Sequence, residues 1–342
     1  MRDAEQVLPN GTEKHISRAG KKNQVRGLKI LTAGVNSQLQ DVGRKGYGFT
    51  GVSQSGFLDA RAAYLANRLC GNPISLPLVE IPWGGFRFVS QVNNVMAVCG
   101  ADVEVKINNT AVGCWRTLPL KPNDEVLISP PKRGIWVYLA IRGGFQVKPV
   151  LGSVSGNQRE KMGGLNGDGQ ALKSGDLLPC LDSQHKQYMA VTANKMSLFQ
   201  QDELSLRIIP GGQYSQLTRE QKRALFNTVF TLSTEYNRMG YRLQSDNTEL
   251  RDLPKITPDA IAYGAVQVPP SGQPIVLLND RQTLGGYCKV GSVISPDCHR
   301  LVQCRPGCKI HFRLIRPTCA QNVVKTYWST LMSQPLIDLN SG

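Results

Sequence analysis

The sequence predicts a mainly β protein whose strands form two barrel-like halves. Apolar or alternating runs of strand length recur throughout its 342 residues, and Gly, Pro, Asn and Asp interrupt them at short intervals. Only three segments place apolar residues at helical spacing. A polar stretch at 182–197 separates two β-rich regions, so we expect a linker there. The length also suits about two domains.

The predicted strands fall into two sets, one on each side of that linker. The first set comprises 28–31, 86–89, 95–98, 103–107, 126–128 and 135–141. The second set comprises 204–209, 229–232, 265–268, 275–278, 291–294 and 310–315. Similar polar turns precede apolar runs at 120–124, 172–176 and 304–308, although their likeness is too weak to establish an internal duplication.

Three segments are predicted to be helical. The first, 58–70, carries its leucines and alanines on one face. The second, 217–226, follows Ser215 and Thr218, either of which could cap it. The third, 321–332, is a C-terminal appendage.

These patterns divide the chain into four parts. We expect a basic, disordered extension at 1–26, an N-terminal β-barrel at 27–185, a C-terminal β-barrel at 198–317 and a helical tail at 318–342.

The composition narrows the classes of function. The net charge is +15, but the basic residues are neither interleaved with aromatic residues nor arranged along one helix, so we expect no nucleic-acid partner. The positive charge favours an acidic protein or an anionic substrate. No apolar run reaches the ~18 residues that span a bilayer, and the N-terminus has no apolar core. We therefore expect a cytoplasmic protein without a membrane partner.

The nine cysteines are odd in number and scattered, which argues against a disulfide framework. Cys298, Cys304 and Cys308 lie near His299 and His311 and could bind zinc, but their spacing matches no standard ligand pair. Buried thiols that pack as small apolar side chains are the alternative. We predict no metal site.

Several chemistries have no motif here. No Gly-x-x-x-x-Gly-Lys-Ser/Thr loop and no His-Glu-x-x-His motif occurs. Lys195 follows Asn194 rather than a methionine, so it does not resemble a biotin attachment site. The glycine-rich segment 163–169 lacks the strand-to-helix context of a dinucleotide site, and we interpret it as a loop.

Three polar clusters remain as candidate sites. The first spans 40–59 and the second spans 237–243, where two arginines would share one face of a strand and would need an anion between them. The third spans 277–289, where an apolar run ends in a polar group followed by Gly-Gly, and a charged surface turn is the alternative reading. In the first cluster, Asp41 and Arg44 could also simply pair with each other across a turn.

In this order, the clusters resemble the biotin-dependent carboxyltransferase family, also described as the allophanate hydrolase subunit 2 family. The resemblance runs from about residue 27 to residue 316. Its motifs are Gln40-Asp41-Val42-Gly43-Arg44, Val52-Ser53-Gln54-Ser55-Gly56, Asn237-Arg238-Met239-Gly240-Tyr241-Arg242-Leu243, Val266-Gln267-Val268-Pro269 and Asp280-Arg281-Gln282-Thr283 with Gly285-Gly286-Tyr287.

The resemblance implies two cyclophilin-like β-barrel domains in tandem. Within the family, the chain resembles the 5-oxoprolinase C subunits, which implies a role with partner subunits A and B in converting 5-oxo-L-proline to L-glutamate at the expense of ATP. Other members imply two alternatives. One is carboxyl transfer to urea or a related small amide from carboxybiotin on a separate carrier. The other is a non-catalytic regulatory subunit that binds a kinase-inhibitor partner. We expect no cofactor on this chain itself.

The resemblance also implies a site. If this subunit performs chemistry itself, we expect Asp280 or Tyr287 to act as the general acid or base. The predicted substrate-binding residues are Arg238, Arg242, Gln267, Arg281, Gln282, Thr283 and Gly286. The two arginines of the second cluster would hold an oxyanion. A less direct role is expected for Asp41, Arg44 and Ser55.

Overall fold

A computed structural model describes most of the chain. Residues 1–24 of the predicted extension lie outside the described residues, as do 185–187 and 192–197 of the predicted linker. The described ranges are 25–184, 188–191, 202–254 and 256–339.

The first half of the chain consists of antiparallel strands in two sheets. Its strands are β1 (Gly27–Ala33), β2 (Gln38–Gln40), β3 (Leu78–Pro82), β4 (Phe86–Ser90), β5 (Asn94–Asp102), β6 (Val105–Ile107), β7 (Thr110–Val112), β8 (Thr117–Leu120), β9 (Glu125–Ile128), β10 (Arg133–Ile141) and β11 (Leu177–Pro179). Six strands pair in the order β11-β1-β4-β9-β6-β7 and five in the order β2-β3-β10-β5-β8. Apolar side chains from both sheets form one core.

The five-stranded sheet is buried on both faces. Along β10, Val137 and Leu139 point into the core of the first half, whereas Trp136 and Tyr138 belong to a second core that extends into the other half of the molecule. A strand with two buried faces is apolar at consecutive positions, which explains the unbroken apolar run of β10.

The second half is a closed barrel. Its strands are β13 (Glu203–Pro210), β14 (Phe230–Asn237), β15 (Gly240–Gln244), β17 (Ala265–Val268), β18 (Ile275–Leu277), β20 (Cys288–Val293) and β21 (Lys309–Leu314). They close in the order β13-β20-β17-β18-β15-β14-β21. A short pair, β16 (Asp259–Ala260) and β19 (Leu284–Gly285), lies outside the barrel sheet. The predicted mainly β fold is confirmed.

All three predicted helices are present, and the described residues contain one further α-helix. The helix α1 (Ala60–Leu69) is capped by Asp59, and α2 (Arg219–Asn227) is capped by Thr218 in a capping box. The C-terminal helix α4 (Pro317–Ser333) is longer than predicted. The helix α3 (Ser295–Leu301) was not anticipated, because seven residues hold too few turns for a periodic signal. No described helix is long and apolar enough to cross a bilayer.

The C-terminal segment packs back onto the first half. The Trp328 ring of α4 lies 5.2 Å from the Tyr64 ring of α1. The guanidinium of Arg68 donates to the carbonyl oxygens of Leu331 and Gln334, both at 2.9 Å. Beyond α4, β22 (Leu336–Asp338) pairs with β12 (Met189–Val191), so part of the predicted linker is a strand.

Direct contacts join the two halves. The indole nitrogen of Trp136 donates to the Tyr241 hydroxyl at 2.9 Å, and both groups are buried. The side chain of Gln303 accepts from the backbone nitrogens of Ile135 and Trp136 at 2.9 and 3.0 Å. The same side chain donates to Asp59 at 3.0 Å. The junction is therefore an ordered part of the core.

Candidate functional site

The first and third polar clusters meet where the two halves join. The Asn279 side chain, just after β18, donates to the carbonyl oxygens of Ser55 and Phe57 at 3.2 and 3.0 Å. The backbone nitrogen of Ser55 donates to the Asn279 carbonyl at 3.1 Å. Two residues further on, the carbonyl of Arg281 accepts from the Ser53 hydroxyl at 2.8 Å. The segment after β18 is therefore part of a junction and not a charged surface turn.

Arg238 lies at the centre of this junction, in the turn between β14 and β15. Its guanidinium holds Asp280 with two hydrogen bonds of 2.9 and 3.1 Å. It also donates to Glu80 of the first half. Although burial lowers the pKa of Arg238, the charges of Asp280 and Glu80 outweigh this effect and raise the pKa above its ordinary value. Arg238 is thus a charged clamp between the two halves.

Glu80 contacts Arg238 at this junction but is not among the predicted site residues. It is 1% exposed, and its second oxygen accepts from the Leu58 backbone nitrogen and the Tyr138 hydroxyl, both at 2.9 Å. Burial raises the pKa of Glu80, and Arg238 opposes that shift. The available signal was a lone carboxylate inside the otherwise apolar strand Leu78–Pro82, because buried carboxylates require a partner.

The clamp changes the role expected for Arg238. Its guanidinium also donates to the Gly56 carbonyl at 2.7 Å and to Gln40 at 3.2 Å. Two carboxylates and two further oxygen atoms accept hydrogen bonds from this guanidinium. Its hydrogen-bonding capacity is therefore already used within the protein and is not left open for a substrate anion. The same contacts keep Asp280 bound to a cation and only 7% exposed.

Arg242 and Gln267 are not part of this clamp. Because Arg238 belongs to a turn, the two arginines do not share a strand face, and Arg242 instead pairs with Glu235 at 3.1 Å. Gln267 lies on β17 and Arg242 lies on β15. The strand β18 separates them, and its residue Ile275 pairs with both. Its side-chain nitrogen is buried without a hydrogen-bond partner among the described residues.

A cleft of about 440 Å³ lies beside the junction. It brings together residues of the first and third clusters. Arg281 lines it and donates to the carbonyl oxygens of Ile261 and Leu278 at 3.0 and 3.1 Å. Burial lowers the pKa of Arg281. The lining residues are Arg44, Gly46, Gly48, Phe49, Gly51, Val52, Ser53, Gln54, Ala260, Ile261, Arg281, Gln282, Thr283 and Leu284.

The remaining candidates occupy different positions. Asp41 does not form a hydrogen bond with Arg44; it accepts from the hydroxyls of Ser153 and Ser155 at 2.6 and 2.7 Å. The backbone of Ser55 has a positive φ of 58°, which is uncommon for a residue with a side chain. Tyr287 is 49% exposed and, like its neighbour Gly286, is not among the residues that line the cleft.

Comparison with known proteins identifies the family. The model of the carboxyltransferase domain, subdomain A and B, matches residues 50–314, which is most of the chain. The chain belongs to the carboxyltransferase family. This match includes the second and third clusters and part of the first.

The relatives of this chain described below fall into two groups. It is 36% identical to the 5-oxoprolinase C subunit of Escherichia coli over 285 residues, which cover 83% of this chain and 90% of that protein. It is 26% identical to urea amidolyase of Lachancea kluyveri over 307 residues, which cover 83% of this chain but 17% of that protein. The crystal structure of K. lactis urea amidolyase aligns with a TM-score of 0.80 at 24% identity, over 91% of this chain and 20% of that one, which shows a shared fold.

Within the part of the chain that the structure describes, the cysteines and histidines are not arranged as a metal centre. All nine cysteines lie in the described residues as free thiols. His299 contacts the Tyr327 hydroxyl at 3.1 Å, and His311 pairs with Glu203 at 2.9 Å. Within the described residues, no group of three or more His, Cys, Asp or Glu side chains is placed to hold a metal ion.

Proposed function

We propose that this chain is a subunit of ATP-dependent 5-oxoprolinase in the cytoplasm. Together with partner subunits A and B it converts 5-oxo-L-proline to L-glutamate. The observation that carries the proposal is the match to a bacterial 5-oxoprolinase C subunit along nearly the whole of both chains. The match to urea amidolyase is weaker and covers a small part of that protein.

The cleft beside the junction is the place that we assign to the cyclic amide. Its volume of about 440 Å³ lies within the usual range for small-molecule sites. Gln282 and Thr283 line it, and their side chains can both donate to a lactam oxygen and accept from a lactam N–H. Arg281 supplies positive charge at the same wall.

We assign general acid or base work, where this subunit performs it, to Asp280 or Tyr287. Asp280 would first exchange a hydrogen bond with Arg238 for one with substrate or water. Tyr287 offers a half-exposed phenol that contact with a partner protein would cover. We assign ATP to the partner subunits, because the sequence contains no P-loop motif.

Reconstitution with the cognate A and B subunits tests the function. The measurement is ATP-dependent glutamate formation from 5-oxoproline, with and without this chain. We expect omission of the chain to abolish the product, and Asp280→Asn to reduce it while the variant remains folded by circular dichroism. Arg87→Gln, which alters a distant exposed ion pair, is the matched control. Full activity without the chain would refute the proposal.

The alternative function is carboxyl transfer from carboxybiotin to urea or a related amide. The match to urea amidolyase favours it, although this chain spans a small part of that protein. The carboxybiotin would come from a separate carrier, because the sequence offers no biotin-attachment lysine. The test is transfer of a labelled carboxyl group from a carboxylated carrier to a small amide. Transfer to urea, without turnover of 5-oxoproline, would support this alternative.

A further inference from the structure

Arg44 is a buried arginine with unused hydrogen-bonding capacity. It is 1% exposed, and its side chain makes one hydrogen bond, from Nη2 to the Ser155 carbonyl at 2.5 Å. Its Nε and Nη1 have no hydrogen-bond partner among the described residues. A guanidinium is charged at every physiological pH, and leaving its N–H groups without acceptors in the interior is costly.

The carboxylates around Arg44 do not supply those acceptors. Asp41, Glu160 and Asp280 lie close enough to act on its charge. Each of them is bound elsewhere: Asp41 accepts from two serine hydroxyls, and Asp280 accepts from Arg238. Glu160 accepts from the backbone nitrogen of Ser53 at 3.0 Å and from its hydroxyl at 2.6 Å.

The charge of Arg44 is therefore only partly compensated. Burial lowers the pKa of Arg44, and the three carboxylates do not fully offset this effect. A bound anion that accepts directly from the free nitrogens would remove the imbalance.

Close contacts surround this guanidinium at the edge of the cleft. Arg44 is one of the residues that line the 440 Å³ cleft, together with Arg281 and Thr283. Gly163 packs so closely that a Cβ there would lie 2.4 Å from Nη2 of Arg44. The same Cβ would lie 2.1 Å from the Ser155 carbonyl oxygen, so a larger residue would disturb both the guanidinium and the acceptor that it binds. A fixed cation binds an anion with little loss of side-chain entropy.

We propose that Arg44 is the anchor for a small oxyanion in this cleft, and that the anion is the carboxylate of the substrate. This inference rests on the proposed function, which supplies a substrate with one carboxylate. The ring amide would then reach Gln282 and Thr283 in the same cleft. Arg44 takes over the role that the sequence had suggested for Arg238 and Arg242, because the carboxylates of Asp280 and Glu235 already engage those two residues. An arginine suits a planar carboxylate because it can bind both oxygens.

Ligand-induced thermal stabilisation and calorimetry of the full chain test this inference. Three probes are compared: 5-oxoproline, 2-pyrrolidone, which has the same ring without the carboxylate, and inorganic phosphate. We expect 5-oxoproline to bind and 2-pyrrolidone to bind about tenfold to a hundredfold more weakly, since a charged hydrogen-bonded contact is lost. Phosphate that binds as tightly as 5-oxoproline would contradict the assignment to the substrate carboxylate.

Variants connect this binding to one residue. Arg44→Gln should abolish the preference for 5-oxoproline over 2-pyrrolidone, Arg44→Lys should keep part of it, and Arg87→Gln should keep all of it. If Arg44→Gln does not fold, the Nε–H NMR signal of Arg44, assigned by its absence in Arg44→Lys, should shift on adding 5-oxoproline. An unshifted signal, or an unchanged preference in folded Arg44→Gln, overturns the inference.

The reconstituted assembly separates this inference from the proposed function. If the wild-type chain binds 5-oxoproline through Arg44 but does not support glutamate formation, the function fails and the anion site stands. If the assembly is active and Arg44→Gln leaves the KM for 5-oxoproline unchanged, the anion site fails and the function stands.

Discussion

Replacement of Arg238 by methionine should show how much the clamp stabilises the fold. The guanidinium makes five hydrogen bonds, three of them to the buried carboxylates of Asp280 and Glu80. Methionine fills a similar volume but leaves both carboxylates without a counter-charge. Breaking a buried pair in this way costs about 3–5 kcal/mol. We therefore expect Arg238→Met to lower the free energy of unfolding by that amount at pH 8, measured by urea denaturation.

The pH dependence of this loss identifies its cause. Burial already raises the pKa of Glu80, and removal of Arg238 takes away the charge that opposes that shift. A carboxyl group whose pKa in the folded state lies above its unfolded value of 4.5 stabilises the fold at pH values below 4.5. This stabilisation is lost as the pH rises. The deficit of Arg238→Met should therefore be smaller at pH 5 than at pH 8, and adding Glu80→Gln should recover part of it.

The matched control is an exposed pair of the same chemistry. Arg87 binds Glu125 from Nε at 2.6 Å, with side chains 47% and 37% exposed. Because water screens this pair, Arg87→Met should cost less than about 1 kcal/mol. A deficit of Arg238→Met no larger than that of the control, or one independent of pH, would refute the clamp.

Three further predictions concern positions away from the junction. Burial lowers the pKa of His299 from 6.5 to about 4. The neutral imidazole therefore stabilises the fold above pH 6.5, and about 3 kcal/mol of unfolding free energy should be lost as the pH falls towards 4. In urea titrations, His299→Gln should make the free energy of unfolding depend less steeply on pH over this range. An unchanged pH dependence would contradict the prediction. Thr218→Ala should cost about 1 kcal/mol of unfolding free energy through loss of the helix cap, whereas Thr218→Ser should cost little. Arg68→Met should speed amide hydrogen exchange near Leu331 and Gln334 relative to wild type, and equal rates would show that these contacts do not hold α4.

Local sequence signals predicted the elements of the fold well. Each strand predicted in the first half overlaps a strand of the structure, because a sheet buried on one or both faces imposes an apolar pattern that is visible within a few residues. The helix cap Thr218 acts on nearby residues and was equally visible. The short helix α3 was not, since seven residues make only about two turns and leave too little periodicity to detect.

The candidate site was predictable in its members but not in its pairings. The motifs around Asp280 and Arg44 were recognised, and the structure brings both sets of residues to one junction and cleft. The partners of Arg238 were not predictable, because Glu80 lies 158 residues away. No local pattern shows that Arg238 is bound by two carboxylates while Arg44 is hydrogen-bonded to none. That distinction depends on tertiary contacts alone, and it is the basis on which we propose Arg44 as the anion-binding residue.

The sheet with two buried faces has a consequence for how this gene could be divided. Helix α1 covers part of the second face of this sheet, but Trp136 of β10 contacts Tyr241 of the barrel, so a polypeptide ending near residue 184 would expose the part of that apolar face that the barrel covers. The fragment from residue 202 onwards would lack the surface that covers the matching part of its own core. We expect neither fragment to be obtained alone in native form. Produced together, they should complement each other and co-purify, because each carries the surface that completes the other.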